Sequence, residues 1–249
     1  LVVGIVGAII GSFLNVCIWR IPREESIVFP SSHCPVCSHP IRFFDNVPII
    51  SWLMLRGRCR DCGTAISPRY PLVEALTAVL AVLLCWKYGF SLQLLCAVLF
   101  TAALIVITFI DIDYQIIPDV ISLPGIPLCF LAAVFVMGVP FLESLIGVLV
   151  GGGILYVIAV GYEWITKREG MGGGDIKLLA MLGAFFGWKS LLFIVLCSSL
   201  TGAVVGITAM IIQGQDMKYA VPFGPFLALG ALAYFFLGEA FLRYLFLIS

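Results

Sequence analysis

Charge is scarce in this chain. Of 249 residues only 11% are charged, and 14 lysines and arginines balance 14 acids. Soluble domains carry roughly 25% charged residues, so a water-soluble globule is excluded. The zero net charge removes the electrostatic basis for binding nucleic acid. Histidine is scarcer still. His33 and His39 both flank one cysteine pair, which leaves no Ser-His-Asp set elsewhere.

What is present is apolar surface, 62% of all residues, in recurrent long runs. A run of about 18 or more such residues reads as a bilayer-spanning helix. Runs bounded by charge, proline and glycine give about eight spans: roughly 1–19, 72–88, 91–110, 120–138, 142–162, 176–187, 190–212 and 222–247. The sixth is the shortest, and the count carries an uncertainty of one. The expected fold is an all-α polytopic membrane protein with a small cytoplasmic loop domain. Three parts follow: a first transmembrane helix over 1–19, the loop domain over 20–71, and a transmembrane bundle over 72–249. Leu1 to Ile18 reads as a retained span rather than a cleaved signal.

Lysine and arginine are distributed unevenly. Arg20, Arg23, Arg42, Arg56, Arg58, Arg60, Arg69, Lys167, Arg168, Lys177 and Lys218 fall on one side. Only Lys87, Lys189 and Arg243 fall on the other. The positive-inside rule puts the first loop in the cytoplasm and both termini outside.

The loop domain is too small to stand on a hydrophobic core and needs a staple. Cys34-Pro-Val-Cys37 and Cys59-Arg-Asp-Cys62 supply it, since two CxxC knuckles at this spacing match a tetrathiolate zinc site. The weaker alternatives are a thiol-disulfide pair or plain buried cysteines; a reducing cytoplasm disfavours disulfides. His33 and His39 read as solvated loop residues. Cys17, Cys85, Cys96, Cys129 and Cys197 lie in apolar runs as small hydrophobes.

Two acids stand at the edges of apolar runs. Asp111 closes AALIVITFID, and Asp175 follows a glycine run in EGMGGGDIKLLAML. Ionisable groups at membrane depth are costly and mark function. A carboxylate pair is the minimal equipment for splitting a peptide bond with water. Gly172 to Gly174 leave no side chain beside Asp175, so a substrate backbone can approach or the chain can take positive φ. Lys177 lies nearby as a supporting charge. Asp113 points away from Asp111 on a helix, and Asp119, after Pro118, reads as a helix N-cap. The helix ends favour charge on Asp175 and the proton on Asp111, although the two titrate as a pair.

These residues carry a resemblance. GMGGGDIK contains a GxGD signature, and FIDIDYQIIPD is similar to the first-aspartate motif of the type IV prepilin peptidases. SFLNVCIWRIPR, NVPIISWLMLRGRC, ISPRYPLVEALT and PFGPFLALGA also resemble segments of that family. The resemblance covers nearly the whole chain. It implies a bifunctional enzyme of the bacterial inner membrane. Such an enzyme cleaves the basic leader from prepilins or pseudopilins of type IV pili and type II secretion. It then N-methylates the new terminal residue with S-adenosylmethionine. By the same resemblance Asp111 and Asp175 are the catalytic aspartates and Cys34, Cys37, Cys59 and Cys62 the zinc ligands.

The methyl-transfer half is less legible. No glycine-rich dinucleotide loop follows a strand. Glu74 reads either as a contact for the substrate amine or as a helix-end partner of Arg69 or Arg56. The principal alternative for the whole chain is a proton-coupled transporter using paired intramembrane acids. Such a protein would place its acids near the bilayer midplane and show internal repeats, and no clear repeat is present.

Overall fold

The computed structural model describes residues 1–167, 172–213 and 222–246. Arg168, Lys218 and the Gly170-Met171 start of the glycine segment therefore lie outside the described residues. The described chain is helical, and its only β-type pairings are two isolated bridges, His33 with Pro40 and Arg58 with Ala65. The helices are α1 (Val2–Arg20), a single turn α2 (Ile50–Met54), α3 (Arg69–Tyr88), α4 (Leu92–Tyr114), α5 (Asp119–Ala132), α6 (Phe141–Thr166), α7 (Gly173–Phe186), α8 (Trp188–Gln213) and α9 (Gly224–Phe246). Two compact units form, Leu1–Val106 and Ile107–Ser249, with the boundary inside α4.

In the first unit α1 packs on α3 through Gly7 and Gly11. A Cβ at Gly7 would lie 2.8 Å from Ala78 Cα, and one at Gly11 would lie 2.7 Å from Glu74 Cα. This is the small-xxx-small contact by which membrane helices approach without a hydrophobic drive. The loop between these helices folds back through short turns rather than long elements.

Among the described residues seven helices, α1 and α3 to α6 with α8 and α9, are long and apolar enough to cross a bilayer. The chain is a multi-pass membrane protein. The remaining expected span, 176–187, falls on α7. Its 14 residues make a helix of about 21 Å, short of a hydrocarbon core of about 30 Å. The physical reason for its apolar sequence is shelter by other helices. Leu178 to Phe185 are all buried, and α7 packs against α5, α6, α8 and α9. A helix apolar on every face belongs inside a bundle.

Packing of α7 on α6 is antiparallel and close. A Cβ at Gly151 would lie 2.5 Å from Leu179 O, and one at Gly147 would overlap the carbonyl of Gly183. Ser144 Oγ donates to Ala184 O at 2.6 Å, and Lys189 pairs with Glu143 at 2.7 Å just beyond. The end of α7 thus sits beside the start of α6. The glycines at 147 and 151 serve contact between the protein's own helices.

Candidate active site

Asp111 lies in the last turn of α4 and is 5% exposed. Its Oδ2 accepts the backbone N–H of Gly224 at 3.0 Å. Gly224 opens α9, so the positive end of that helix faces Asp111. A Cβ on Gly224 would stand 2.5 Å from the same oxygen. Only glycine allows this approach.

Asp175 lies in the first turn of α7, half-buried, and within electrostatic reach of the Asp111 carboxylate. The structure therefore brings together the two acids that the sequence singles out. Ile117 organises the surrounding backbone. A Cβ on Gly174 would come within 2.8 Å of Ile117 Cβ, and one on Gly224 within 3.3 Å of Ile117 Cδ1. The same isoleucine thus wedges between the first turns of α7 and α9, next to both acids.

Several local expectations change. Gly172, Gly173 and Gly174 do not adopt positive φ. Gly172 is extended at φ −66° and ψ 136°, and Gly173 and Gly174 are already helical. Gly174 is required by Ile117, whereas a Cβ at Gly172 or Gly173 would meet nothing within 4 Å. Lys177 does not neutralise Asp175. Its Nζ donates to Asp119 Oδ1 at 2.6 Å and ties the start of α7 to the start of α5. Asp119 is not the N-cap. Pro118 holds that position with no side-chain cap, and Asp119 is the first helical residue. Asp113 is exposed, on the side of α4 away from buried Asp111. The field asymmetry expected between the two acids also shrinks, because each now faces a helix N-terminus.

The depth of the site follows from helix register. Gly151 meets Leu179, so Asp175, one turn earlier in α7, stands level with Leu155 of α6. The buried stripe of α6, Ser144, Gly147, Gly151 and Leu155, ends at that level. Its remaining turns to Thr166 run on for about 16 Å. α6 thus runs on beyond the level of the acids, which stand at the ends of α4 and α7.

In the first unit, Cys34, Cys37, Cys59 and Cys62 converge with all four sulfurs within 4.8 Å of one another. Cys34 Sγ and Cys62 Sγ are 3.8 Å apart. A tetrahedral zinc with Zn–S of about 2.3 Å requires S–S edges of about 3.8 Å, so the residues fit a metal ion. The two knuckles are built alike. Cys34 N–H donates to His39 O and Ser38 N–H to Cys34 O; likewise Cys59 N–H donates to Thr64 O and Gly63 N–H to Cys59 O. Ser38 (φ 58°) and Gly63 (φ 71°) occupy the same left-handed position after each pair. Thr64, through its backbone N–H and its hydroxyl, draws the Cys62 thiol down to about 6, while the Cys37 thiol of the same cluster is shifted up. His33 turns to Ser31 O and stands outside the cluster. Glu74 is buried and accepts Ile49 N–H at 2.7 Å and a hydrogen bond from Ser12.

Residues 5–88 match the family model described as the bacterial peptidase A24 N-terminal domain, and residues 98–207 match the one described as the type IV leader peptidase family. The chain is similar to proteins named prepilin leader peptidase/N-methyltransferase. The one from Pseudomonas putida is 38% identical over 90% of this chain and 86% of that protein. Its counterpart from Aeromonas salmonicida is 37% identical over 94% and 89%. A third, from Myxococcus xanthus, is 42% identical over 85% of this chain and 63% of that protein. No solved structure matches the chain.

Proposed function

The chain belongs to the type IV leader peptidase family, and on that premise we propose that it is a membrane aspartyl peptidase acting through Asp111 and Asp175. Its substrates are prepilins or pseudopilins, whose basic leader it removes at the cytoplasmic face of the inner membrane. It then methylates the new N-terminus, with S-adenosylmethionine as donor. Cys34, Cys37, Cys59 and Cys62 hold a structural zinc in the loop over 20–71, and the helices after residue 72 form the peptidase bundle. Both termini lie outside the cytoplasm, in keeping with the skew of lysine and arginine.

The observation that carries the peptidase reading is the convergence of Asp175 on Asp111, with Asp111 fixed by Gly224. Two close carboxylates share one proton over a working range. The charged acid takes a proton from water as the oxygen attacks the scissile carbonyl. The protonated acid hydrogen-bonds the carbonyl oxygen and transfers its proton to it. As the tetrahedral diol collapses, the acid that took the water proton gives it to the leaving amine while the other acid takes the hydroxyl proton, so the pair returns to its single-proton state. Gly172 and Gly173 leave open space beside Asp175 for an extended backbone, and Gly174 seats Ile117. Lys177 supports the site by anchoring α7 to α5. The zinc, when bound, crosslinks the two knuckles and supplies no chemistry to hydrolysis.

The test is co-expression with candidate prepilins and measurement of the mass of the processed N-terminus. A leader-sized loss, followed by one added methyl, is expected. An intact precursor with every candidate client would refute the proposal.

A further inference from the structure

One cavity in the first unit is lined by no aspartate and no cysteine. It has a volume of about 310 Å³ and opens between α1 and the loop that follows it. That volume is at the scale of a small-molecule site. Ser12, Phe13 and Arg20 line it from α1, and Ser31, Ser32 and Asn46 line it from the loop. Ile9 and Val16 of α1 add apolar lining.

Arg20 is its unusual feature. The residue is 6% exposed, yet it makes no ion pair among the described residues. Its guanidinium donates to two backbone carbonyls, Ser26 O at 2.8 Å and Pro30 O at 2.7 Å. These bonds fix the plane of the group and leave three of its five N–H donors unused. A buried cation without a counter-charge is costly, and an anion brought beside it removes that cost. Nothing in the hydrolytic chemistry uses this charge. Glu74, behind Ser12, is engaged by Ile49 N–H and by Ser12.

We propose that this cavity binds the methyl donor S-adenosylmethionine, with the donor's carboxylate on the Arg20 guanidinium. The inference rests on the methyltransferase half of the reading above. The planar fork of an arginine matches a carboxylate in bidentate geometry. Ser31, Ser32 and Asn46 offer hydroxyls and an amide to the polar nucleoside. The exposed ring of Phe13 provides a face for the purine or the sulfonium. A phospholipid headgroup presents the same anionic chemistry at the end of a membrane helix. The polar loop wall of Ser31, Ser32 and Asn46 favours the donor.

The experiment measures binding rather than turnover. Full-length protein in nanodiscs is titrated with S-adenosylmethionine by calorimetry, with melting temperature and zinc content recorded in parallel. Wild type is expected to bind at one site. Arg20→Gln should weaken binding by at least about tenfold, the loss of a charge-assisted pair, and Arg20→Lys should fall between the two. Because Arg20 also holds the loop, Ser31→Phe serves as a second variant: it fills the mouth, leaves Arg20 in place and should abolish binding. Unchanged affinity in Arg20→Gln and Ser31→Phe would overturn the proposal, as would absence of binding to wild type. Loss of binding when phosphatidylglycerol replaces phosphatidylcholine would assign the cavity to lipid and overturn it equally. A chain that binds the donor but cleaves no prepilin would sustain this inference while refuting the peptidase reading.

Discussion

The cysteine site and the aspartate site are built in opposite ways. The four sulfurs come from two knuckles within one loop, each shaped by hydrogen bonds between residues at most five apart. The aspartate site draws Asp111 from the last turn of α4, Asp175 from the first turn of α7 and an N–H from Gly224, 113 residues beyond Asp111. The first site is a property of a short peptide and a metal. The second exists only when the helices of the bundle are docked.

Damage should therefore propagate differently in the two regions. Cys59→Ser should have the largest structural effect. It removes one of four ligands, so metal content should fall to background and the loop should lose its fold, because binding energy is folding energy in such sites. Metal analysis and proteolysis of the loop check this, and retention of one zinc per chain would break the comparison. Gly224→Ala comes next. Its Cβ would stand 2.5 Å from Asp111 Oδ2, so Asp111 must shift, and cleavage should drop about 10- to 100-fold, as a misplacement near 1 Å does. Peptide cleavage rates at unchanged helicity measure it.

Gly183→Ala probes docking without touching an acid. The new methyl would overlap the backbone of Gly147, and overpacking of this kind costs about 1–3 kcal/mol. Thermal unfolding in detergent should show the loss. Lys177→Met should have the smallest effect. The ion pair with Asp119 is solvent-exposed on both sides, so its removal should cost under about 1 kcal/mol. A large loss of cleavage in this variant, with stability intact, would show that Lys177 acts on the acids rather than on the α5–α7 junction.

Legibility from sequence followed the same division. The cysteine ligands were readable because knuckle spacing encodes their geometry. The membrane helices were readable because apolar runs of span length have few other uses. Asp111 and Asp175 stood out as acids at the ends of such runs. What remained hidden was relational. Nothing in PFGPF announces that Gly224 must admit the oxygen of a distant aspartate, although a glycine opening an apolar helix is the available signal. Ile117 looks like any apolar residue until Gly174 and Gly224 are seen against it. Lys177 lies two residues from Asp175 in sequence, but the turn of α7 carries it to Asp119. The short span over 176–187 differed from its neighbours because helices rather than lipid surround it. Gly7 and Gly11, two glycines four apart in an apolar run, become informative only once a partner helix is known.

Convergence of Asp111 and Asp175 into one catalytic unit is tested most directly by comparing Asp111→Asn, Asp175→Asn and the double variant on one prepilin peptide. If the two acids share a single proton-transfer task, each single change should lower the cleavage rate by about 10³-fold or more, and the double variant should be no worse than either. Cleavage within about tenfold of wild type in either single variant, or losses that multiply in the double, would contradict it.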